Sequence, residues 1–379
     1  VILPPQDWLE APATRQVIAA LPGARVVGGA VRDALLGIPV QDVDFATPLA
    51  PCDVVRQLEA AGIKAVPTGI AHGTVTAVAD GQPFEVTTLR RDVATDGRHA
   101  TVAFTDDWRE DAARRDFTIN ALYADPETRE ISDFFGGLAD LGEHRVRFIG
   151  DSLTRIAEDH LRILRFFRFH ARFGRGEPDA AGLAACAARA NDLMALSRER
   201  IAAELSKLLA VANPVPVVGT MLIAGILAPV LPEATDIARL ARLVAAESAP
   251  SWLRRLAALL PADAAVLDDI AARLRLSNAD RRRFVAMSAP PQTDTRAEAY
   301  RDGAEAARDR RLLHGLTVDP ALDHWVRPRL PITGRALIAR GVPAGPEVSR
   351  KLGHFERAWV AAGFPDDIDA LVEAAVRAG

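Results

Sequence analysis

Two kinds of patterning divide the chain near Gly150. Before it, short β-branched runs alternate with short helical stretches; after it, Ala, Leu and Arg recur at helical spacing in segment after segment, separated by Pro or Gly. Arg25-Val26-Val27 reads as a strand entering Gly28-Gly29, followed by a short helix over 30–36 that Gly37 closes. Residues 43–47 predict the next strand, and Pro51 opens a helix running to about Ala60. TVTAVA and FEVTTL flank Asp80-Gly81-Gln82-Pro83, which predicts a β-hairpin. From 90 to 109 the periodicity fails, predicting a long mobile loop. The pattern therefore predicts an α+β head over 1–150 and an all-helical remainder with soft boundaries, 151–212 and 213–379. No period of 20 to 50 residues announces a solenoid.

At 379 residues the chain is long enough for two or three domains, and with 49% hydrophobic and 25% charged residues it is neither disordered nor collagen-like. Cys52 and Cys186 stand far apart without His clusters, which excludes a zinc site or a disulfide framework and suits a reducing cytoplasm. The first sixteen residues lack a signal-peptide pattern, which also predicts a cytoplasmic location. Residues 208–232 carry no charge, but Pro214, Pro216, Pro229 and Pro232 argue for a buried helix with Pro-marked ends rather than a membrane span. The net charge of −4 argues against a nucleic-acid partner until it is divided. Residues 1–150 hold 14 basic and 22 acidic side chains, and the rest hold 32 and 28. An acidic head suits divalent cations and a basic tail suits a polyanion.

The run from Val26 to Thr47 carries the chemistry. Gly28-Gly29 at a strand-to-helix junction lets a phosphate approach backbone N–H groups, and Arg32 on the first turn offers a guanidinium fork to triphosphate oxygens. Asp42 and Asp44, at i and i+2 on a strand, project from one face. Two such carboxylates repel unless a cation lies between them, and Mg²⁺ suits oxygen donors that also meet phosphates. The competing reading is a solvent-facing Asp-x-Asp turn.

This run resembles the signature of the class II CCA-adding tRNA nucleotidyltransferase and bacterial poly(A) polymerase family. ARRDFTINALYAD from Ala113, DFFGGLADL from Asp133 and EDHLRILRFFRF from Glu158 extend the resemblance in order. It implies a polymerase β-like nucleotidyltransferase head over 1–150, a helical neck over 151–212 and a tRNA-binding body and tail over 213–379. It further implies two Mg²⁺ ions on Asp42 and Asp44, and template-free addition of C, C and A to tRNA from CTP and ATP. Poly(A) addition or partial CC or A addition is the alternative, and a catalytically silent RNA-binding protein the third. Glu85 is the candidate third carboxylate, or a solvent-facing strand residue. The resemblance assigns Arg115 and Asp116 to the phosphates and ribose, with Asp116 accepting the 2′-hydroxyl, Asn120 in support and Arg114 as the substitute for Arg115. It places the switch from C to A in the loop over 92–108.

On one helix, Asp159 and Arg162 would lie at i and i+3, an acceptor beside a donor fork. Cytosine and adenine both present an amino donor beside a ring-nitrogen acceptor, whereas uracil and guanine present the reverse. A routine helical ion pair is the competing reading. Arg165, Arg168, Arg172 and Arg175 predict a basic stripe pointing away from that pair, with Arg165 and Arg168 reaching the triphosphate or primer. A solvated face is the alternative. Phe166, Phe167, Phe169 and Phe173 are read as core. The clusters Arg281-Arg282-Arg283 and Arg308, Arg310, Arg311 are read as a track for the tRNA acceptor arm or as ordinary helix surface.

Overall fold

The β-branched runs of the first third form β1 (Arg25–Val27), β2 (Asp44–Thr47), β3 (Lys64–Gly69), β4 (Thr74–Ala79), β5 (Gln82–Thr88), β6 (Arg90–Asp96), β7 (His99–Phe104), β8 (Leu122–Ala124) and β9 (Ile131–Asp133) in a computed structural model that describes residues 1–96 and 99–378. Seven of them make one sheet in the order β3-β4-β5-β2-β1-β8-β9. All neighbours run antiparallel except β2 and β5, whose parallel register sets Asp44 beside Glu85 and Phe45 beside Val86. Alternation then sorts the side chains. Phe45, Val75, Ala77, Phe84 and Val86 are buried, while Asp44 and Glu85 are exposed. Burying each large apolar side chain contributes about 1.5–3 kcal/mol, so the sheet's register, and with it the pairing of the two carboxylates, is firmly set.

Helices α3 (Gly29–Leu35) and α4 (Pro51–Ala60) match the two predicted in this region, and α1 (Asp7–Glu10) and α2 (Pro12–Ala20) precede β1 without having been predicted; Pro stands in the first turn of α2 and α4. The predicted hairpin is β4–β5, turning at Asp80-Gly81. The expected loop over 90–109 is instead a second hairpin, β6–β7, followed by α5 (Trp108–Ala113). A register shift between Asp92 and Ala94 breaks the period-2 pattern there, which hides the strands from periodicity. Positions 97 and 98 of that predicted loop lie outside the described residues.

The DFFGGLADL motif is a brace. Asp133 accepts the N–H groups of Phe135, Gly136, Gly137 and Leu138, fixing the entry to α6 (Gly137–Gly142). A Cβ on Gly137 would come within 2.3 Å of the Thr118 carbonyl oxygen, so glycine is required for α6 to press on the 118–120 turn. Thr118 in turn donates to the buried Asp140 at 2.6 Å.

Five helices complete the first of two compact units, Val1–Pro232: α7 (Ser152–Glu158), α8 (Arg162–Phe173), α9 (Ala180–Ala188), α10 (Arg198–Leu209) and α11 (Val215–Ile223). The first unit extends through Pro232 and includes the uncharged stretch, whose Met221, Ile226, Leu227 and Leu231 are buried. Among the described residues no helix is long and apolar enough to cross a membrane.

The second unit, Glu233–Gly379, holds α12 (Ala238–Ala246), α13 (Trp252–Ala258), α14 (Ala264–Arg273), α15 (Asn278–Ala286), α16 (Thr295–Asp302), α17 (Ala304–Leu313), α18 (Gly334–Ile338), α19 (Pro346–Ala361) and α20 (Asp369–Arg377). Leu337, Phe355, Trp359, Val372 and Ala375 form an apolar core, and a separate set of buried ion pairs surrounds Arg254 and Arg310.

Candidate functional site

A cleft of about 700 Å³ opens in the first unit, and every nucleotide- or metal-binding candidate from the sequence except Glu85 lines it. Its walls carry seven cationic side chains, Lys207 and six arginines, against four aspartates. Four of those cations, Arg162, Arg165, Arg168 and Lys207, come from the helices after residue 150, so the acidic head shares the cleft with basic groups from the segment that follows it.

At the mouth of the sheet, Gly28 sits between β1 and α3 at φ 69° and ψ −114°, a conformation open to glycine alone. Its N–H donates to the Leu122 carbonyl, and a Cβ there would stand 3.5 Å from both Arg115 Nη1 and the Asn120 carbonyl. Arg32, one turn into α3, is buried; it donates to Asn120 Oδ1 at 2.5 Å and to Asp33 at 2.8 Å, and lies over the Phe173 ring at 4.1 Å. The cleft phenylalanines are therefore core that also seats guanidinium groups, since Arg168 lies over Phe169 at 4.4 Å.

Asp44 begins β2, and Asp42 lies in the segment just before it rather than on the strand; both line the cleft. Solvent reaches Asp44, yet crowding by the surrounding protein, followed by the charges of Glu85 and Asp42, outweighs Arg115 and pushes its carboxyl up to about 6. Excess negative charge is concentrated where a cation would relieve it. Among the described residues no group of three His, Cys, Asp or Glu side chains is arranged to hold a metal by itself.

Arg115 is fixed from behind: it donates to Asp111 and to the Tyr123 hydroxyl, which itself donates to Asp111 at 2.7 Å. Asp111 also holds Arg114 at 2.8 Å. Burial would raise the Asp111 carboxyl, but Arg115, Arg114 and Tyr123 hold it below the usual carboxylate range.

Asp116 accepts four hydrogen bonds from the protein itself. One oxygen accepts the Phe117 N–H and the Asn120 amide, and the other accepts Nε and Nη2 of Arg165 at 2.8 and 2.5 Å. Four donors use all four lone-pair sites of a carboxylate, so a 2′-hydroxyl is accepted only by displacing one of them. Burial would raise this carboxyl too; Arg165, Asn120 and the Phe117 N–H outweigh it and keep it low. In this arrangement Asp116 positions Arg165 and Asn120.

Asp159 and Arg162 are not on one helix. α7 ends at Glu158, Asp159 is extended at φ −151° and ψ 105°, and α8 begins at Arg162. The Asp159 side chain accepts the Leu161 N–H at 3.1 Å, an Asx-type bond that favours the break over a continued helix. Both groups still line the cleft. Arg162 Nη1 donates to Glu158 and to the Arg155 carbonyl, and Nη2 to the Arg114 carbonyl, leaving one Nη2 hydrogen and the Nε hydrogen of the fork unspent. The arginine stripe does not point away from this pair. Arg165 and Arg168 line the same cleft, Arg168 held by Glu204 at 2.5 Å, while Arg172 lies 3.5 Å from Asp33. Arg175 falls beyond the end of α8.

Residues 24–147 match the family described as "Poly A polymerase head domain", and residues 178–237 match the one described as "Probable RNA and SrmB- binding site of polymerase A". The CCA tRNA nucleotidyltransferase 1, mitochondrial, of Mus musculus is 49% identical over 188 residues, 49% of this chain and 43% of that protein. The CCA-adding enzyme of Lacticaseibacillus paracasei is 42% identical over 205 residues, 52% of this chain and 49% of that one. The chain thus spans about half the length of the curated relatives it matches. The crystal structure of Bacillus stearothermophilus CCA-adding enzyme in complex with CTP has a TM-score of 0.77 at 27% identity, covering 96% of this chain and 98% of that one. Over residues 24–147 the chain thus matches the poly(A) polymerase head family, and its fold is similar to that of a CCA-adding enzyme. Its seven-stranded sheet with flanking helices is a polymerase β-like head, and among the described residues the segment after it holds helices and no further strand.

Against this family background, several groups that shape the cleft stand outside the sequence reading: Asp111 behind Arg115, Glu158 beside Arg162, and the α10 side chains Arg200, Glu204 and Lys207. Glu158 stood in plain view next to Asp159. The α10 residues recur at helical spacing, but only the fold shows that this face meets α8.

Proposed function

We propose that this chain adds C, C and A without a template to the 3′ end of tRNA, using CTP and ATP and releasing pyrophosphate. The observation that carries the reading is the sharing of one cleft by the Asp42/Asp44 pair and the Asp159/Arg162 pair. A catalytic carboxylate pair and a base-sized donor and acceptor thus face one nucleotide. The relative crystallised with CTP supports CTP as a substrate class, and the mitochondrial and bacterial relatives bear names that specify CCA addition.

Asp42 and Asp44, with Glu85 beside Asp44, fit Mg²⁺, which takes one or two carboxylates and completes its shell with substrate phosphates. Two such ions, when bound, acidify the RNA 3′-hydroxyl and neutralise charge on the α-phosphate and the leaving pyrophosphate. The chain's own groups do the rest. Gly28 and Gly29 leave room for the nucleotide against the sheet edge, and Arg32, Arg115, Arg165 and Arg168 bind triphosphate oxygens. Asp116 and Asn120 hold Arg165 and Arg32 in place. Asp159 accepts the amino group of cytosine or adenine while the unspent donors of Arg162 reach the ring nitrogen. Uracil and guanine would set a carbonyl against the carboxylate and an N–H against the guanidinium. The helical residues 213–379 bind tRNA in this reading, and the two free cysteines, Cys52 and Cys186, suit a reducing cytoplasm.

Three primers test the proposal: tRNA ending at the discriminator base, tRNA ending in CC, and oligo(A), each with CTP or ATP and Mg²⁺. Addition of CCA to the first and A to the second, with no extension of oligo(A), is expected. Processive extension of oligo(A) would establish the poly(A) activity instead, and a stall after CC would establish the partial one.

A further inference from the structure

We propose that Arg200, on α10, is a positioning residue for base selection, fixing the Asp159 carboxylate against the incoming base; the inference rests on the base-reading role of Asp159 proposed above. Arg200 Nη2 donates to Asp159 Oδ2 at 2.8 Å, while Asp159 Oδ1 accepts the Leu161 N–H at 3.1 Å. Each oxygen therefore has one anchor. Backbone bonds from Arg162 N–H to the Asp159 carbonyl and from Ile163 N–H to the His160 carbonyl set the main chain at the break between α7 and α8, but they leave the carboxylate free to turn about its own torsions. The Leu161 N–H restrains one oxygen only. The guanidinium of Arg200 supplies the second point that a plane needs.

The rest of α10 supports this assignment. Glu204, four residues on, holds Arg168, and Lys207, three further on, lines the cleft itself. These positions share one helical face, which α10 presents to the base and phosphate groups of the site. Asp159 and Arg200 are each about 30% exposed at the side chain, so water competes for their bond and its contribution to folding is small. Its consequence lies in geometry. A carboxylate held by both oxygens keeps lone pairs toward an amino group and meets a uracil O4 or guanine O6 with acceptor against acceptor. A carboxylate free to swing aside no longer enforces that rejection.

The test compares Arg200→Ala, Arg200→Lys and Asp159→Ala with the wild type, reading kcat/KM for CTP and for UTP on tRNA ending at the discriminator base, nucleotide affinity by equilibrium titration, and the thermal midpoint. Arg200→Ala is expected to lower the CTP-to-UTP ratio about tenfold, chiefly by admitting UTP, with little change in the midpoint. Arg200→Lys, which offers a point charge in place of a fork, should recover part of the ratio. Asp159→Ala should abolish the preference in both transfer and binding. A ratio unchanged by either Arg200 variant but lost in Asp159→Ala overturns the role of Arg200 and leaves the proposed function standing. A ratio unchanged in all three removes the base-reading pair itself.

Discussion

Two assemblies of arginines and carboxylates, one in each unit, show how the same residue types serve opposite ends. Around Arg254 in the second unit, Glu247 and Asp309 accept from its guanidinium at 2.5 and 2.9 Å, Arg283 adds a bond to Asp309 at 2.7 Å, and Arg310 is held by Glu298 and Asp302. Glu247, Arg254, Asp309, Arg310 and Glu298 are at most 5% exposed at the side chain. Buried charge there is matched by buried charge. In the cleft of the first unit cations outnumber carboxylates, Arg162 keeps unspent donors, and Asp44 lies among like charges that push its carboxyl up to about 6. A closed network holds its own fold together, whereas an open one is completed by a ligand. Density of charged residues does not distinguish them; unspent hydrogen-bonding capacity does.

The largest effects should separate the two assemblies. Asp42→Ala is expected to reduce nucleotide transfer by at least about 10³-fold, several kcal/mol of transition-state stabilisation, while tRNA affinity and the thermal midpoint hold. Single-turnover transfer beside a tRNA binding titration reads both; retained transfer would show that the acidic edge of the cleft is not where the chemistry occurs. Asp309→Ala should do the reverse. Two guanidinium groups lose a buried partner, which costs about 3–5 kcal/mol of folding stability, while kcat/KM at temperatures below unfolding stays near that of the wild type. Denaturant unfolding that shifts by less than about 1 kcal/mol would mean that the second network is dispensable.

Much of the first assembly could be read from the sequence because its parts are local. Gly28-Gly29, Asp42, Asp44, Arg115 and Asp159 each sit at a junction between a strand or a helix and the next segment, and junction residues leave a signature in spacing. The Asp44–Glu85 pairing depends on the parallel register of β2 and β5, in which β5 alternates buried and exposed positions while β2 is buried from Phe45 to Thr47. What stayed hidden is non-local. Nothing local marks the bond that the Asp116 carboxylate accepts from Arg165, 49 positions away. Asp159 and Arg162 read as one helix because helical propensity is continuous there, and a single Asx bond to Leu161 breaks it. The arginines of α15 and α17 read as an RNA track or as ordinary helix surface, and their ion pairs with Asp268, Asp309, Glu298 and Asp302 were not legible because those partners lie on other elements or other turns.

A pH series sharpens the contrast, since Asp44 sends activity and stability in opposite directions. Its raised carboxyl means that between the ordinary carboxylate range and about 6 the folded chain binds a proton that the unfolded chain lacks. Its charged form is thus a penalty on folding, present in full above pH 6 and relieved as pH falls through 6. Cation binding requires the charged form, so at limiting Mg²⁺ transfer should fall about tenfold per unit below pH 6 and recover at higher Mg²⁺. Asp44→Asn should raise the thermal midpoint of the metal-free protein above pH 6 and lose that advantage near pH 4. A midpoint that Asn lowers at pH 8 would contradict the crowding of like charge at this position.

The smallest expected effect tests the closed side of the comparison at its surface. Arg281 belongs to the Arg281-Arg282-Arg283 run, but it makes a two-pronged bond to Asp268, with Nε and Nη2 each 2.6 Å from a carboxylate oxygen. The charge it would offer to a phosphate is largely neutralised before RNA arrives, whereas Arg282 in the same run is exposed. Removing one phosphate-binding cation from a duplex-binding surface lowers the salt dependence of binding by roughly one counterion, along with affinity. Arg281→Ala should therefore leave tRNA affinity within about twofold and the slope of log affinity against log salt unchanged. Arg282→Ala is the internal control, since it removes a cation with the same local sequence and greater exposure. A tenfold loss of affinity in Arg281→Ala, with a shallower salt slope, would show that Asp268 yields this arginine to RNA, and that an ion pair at the surface can belong to the open class after all.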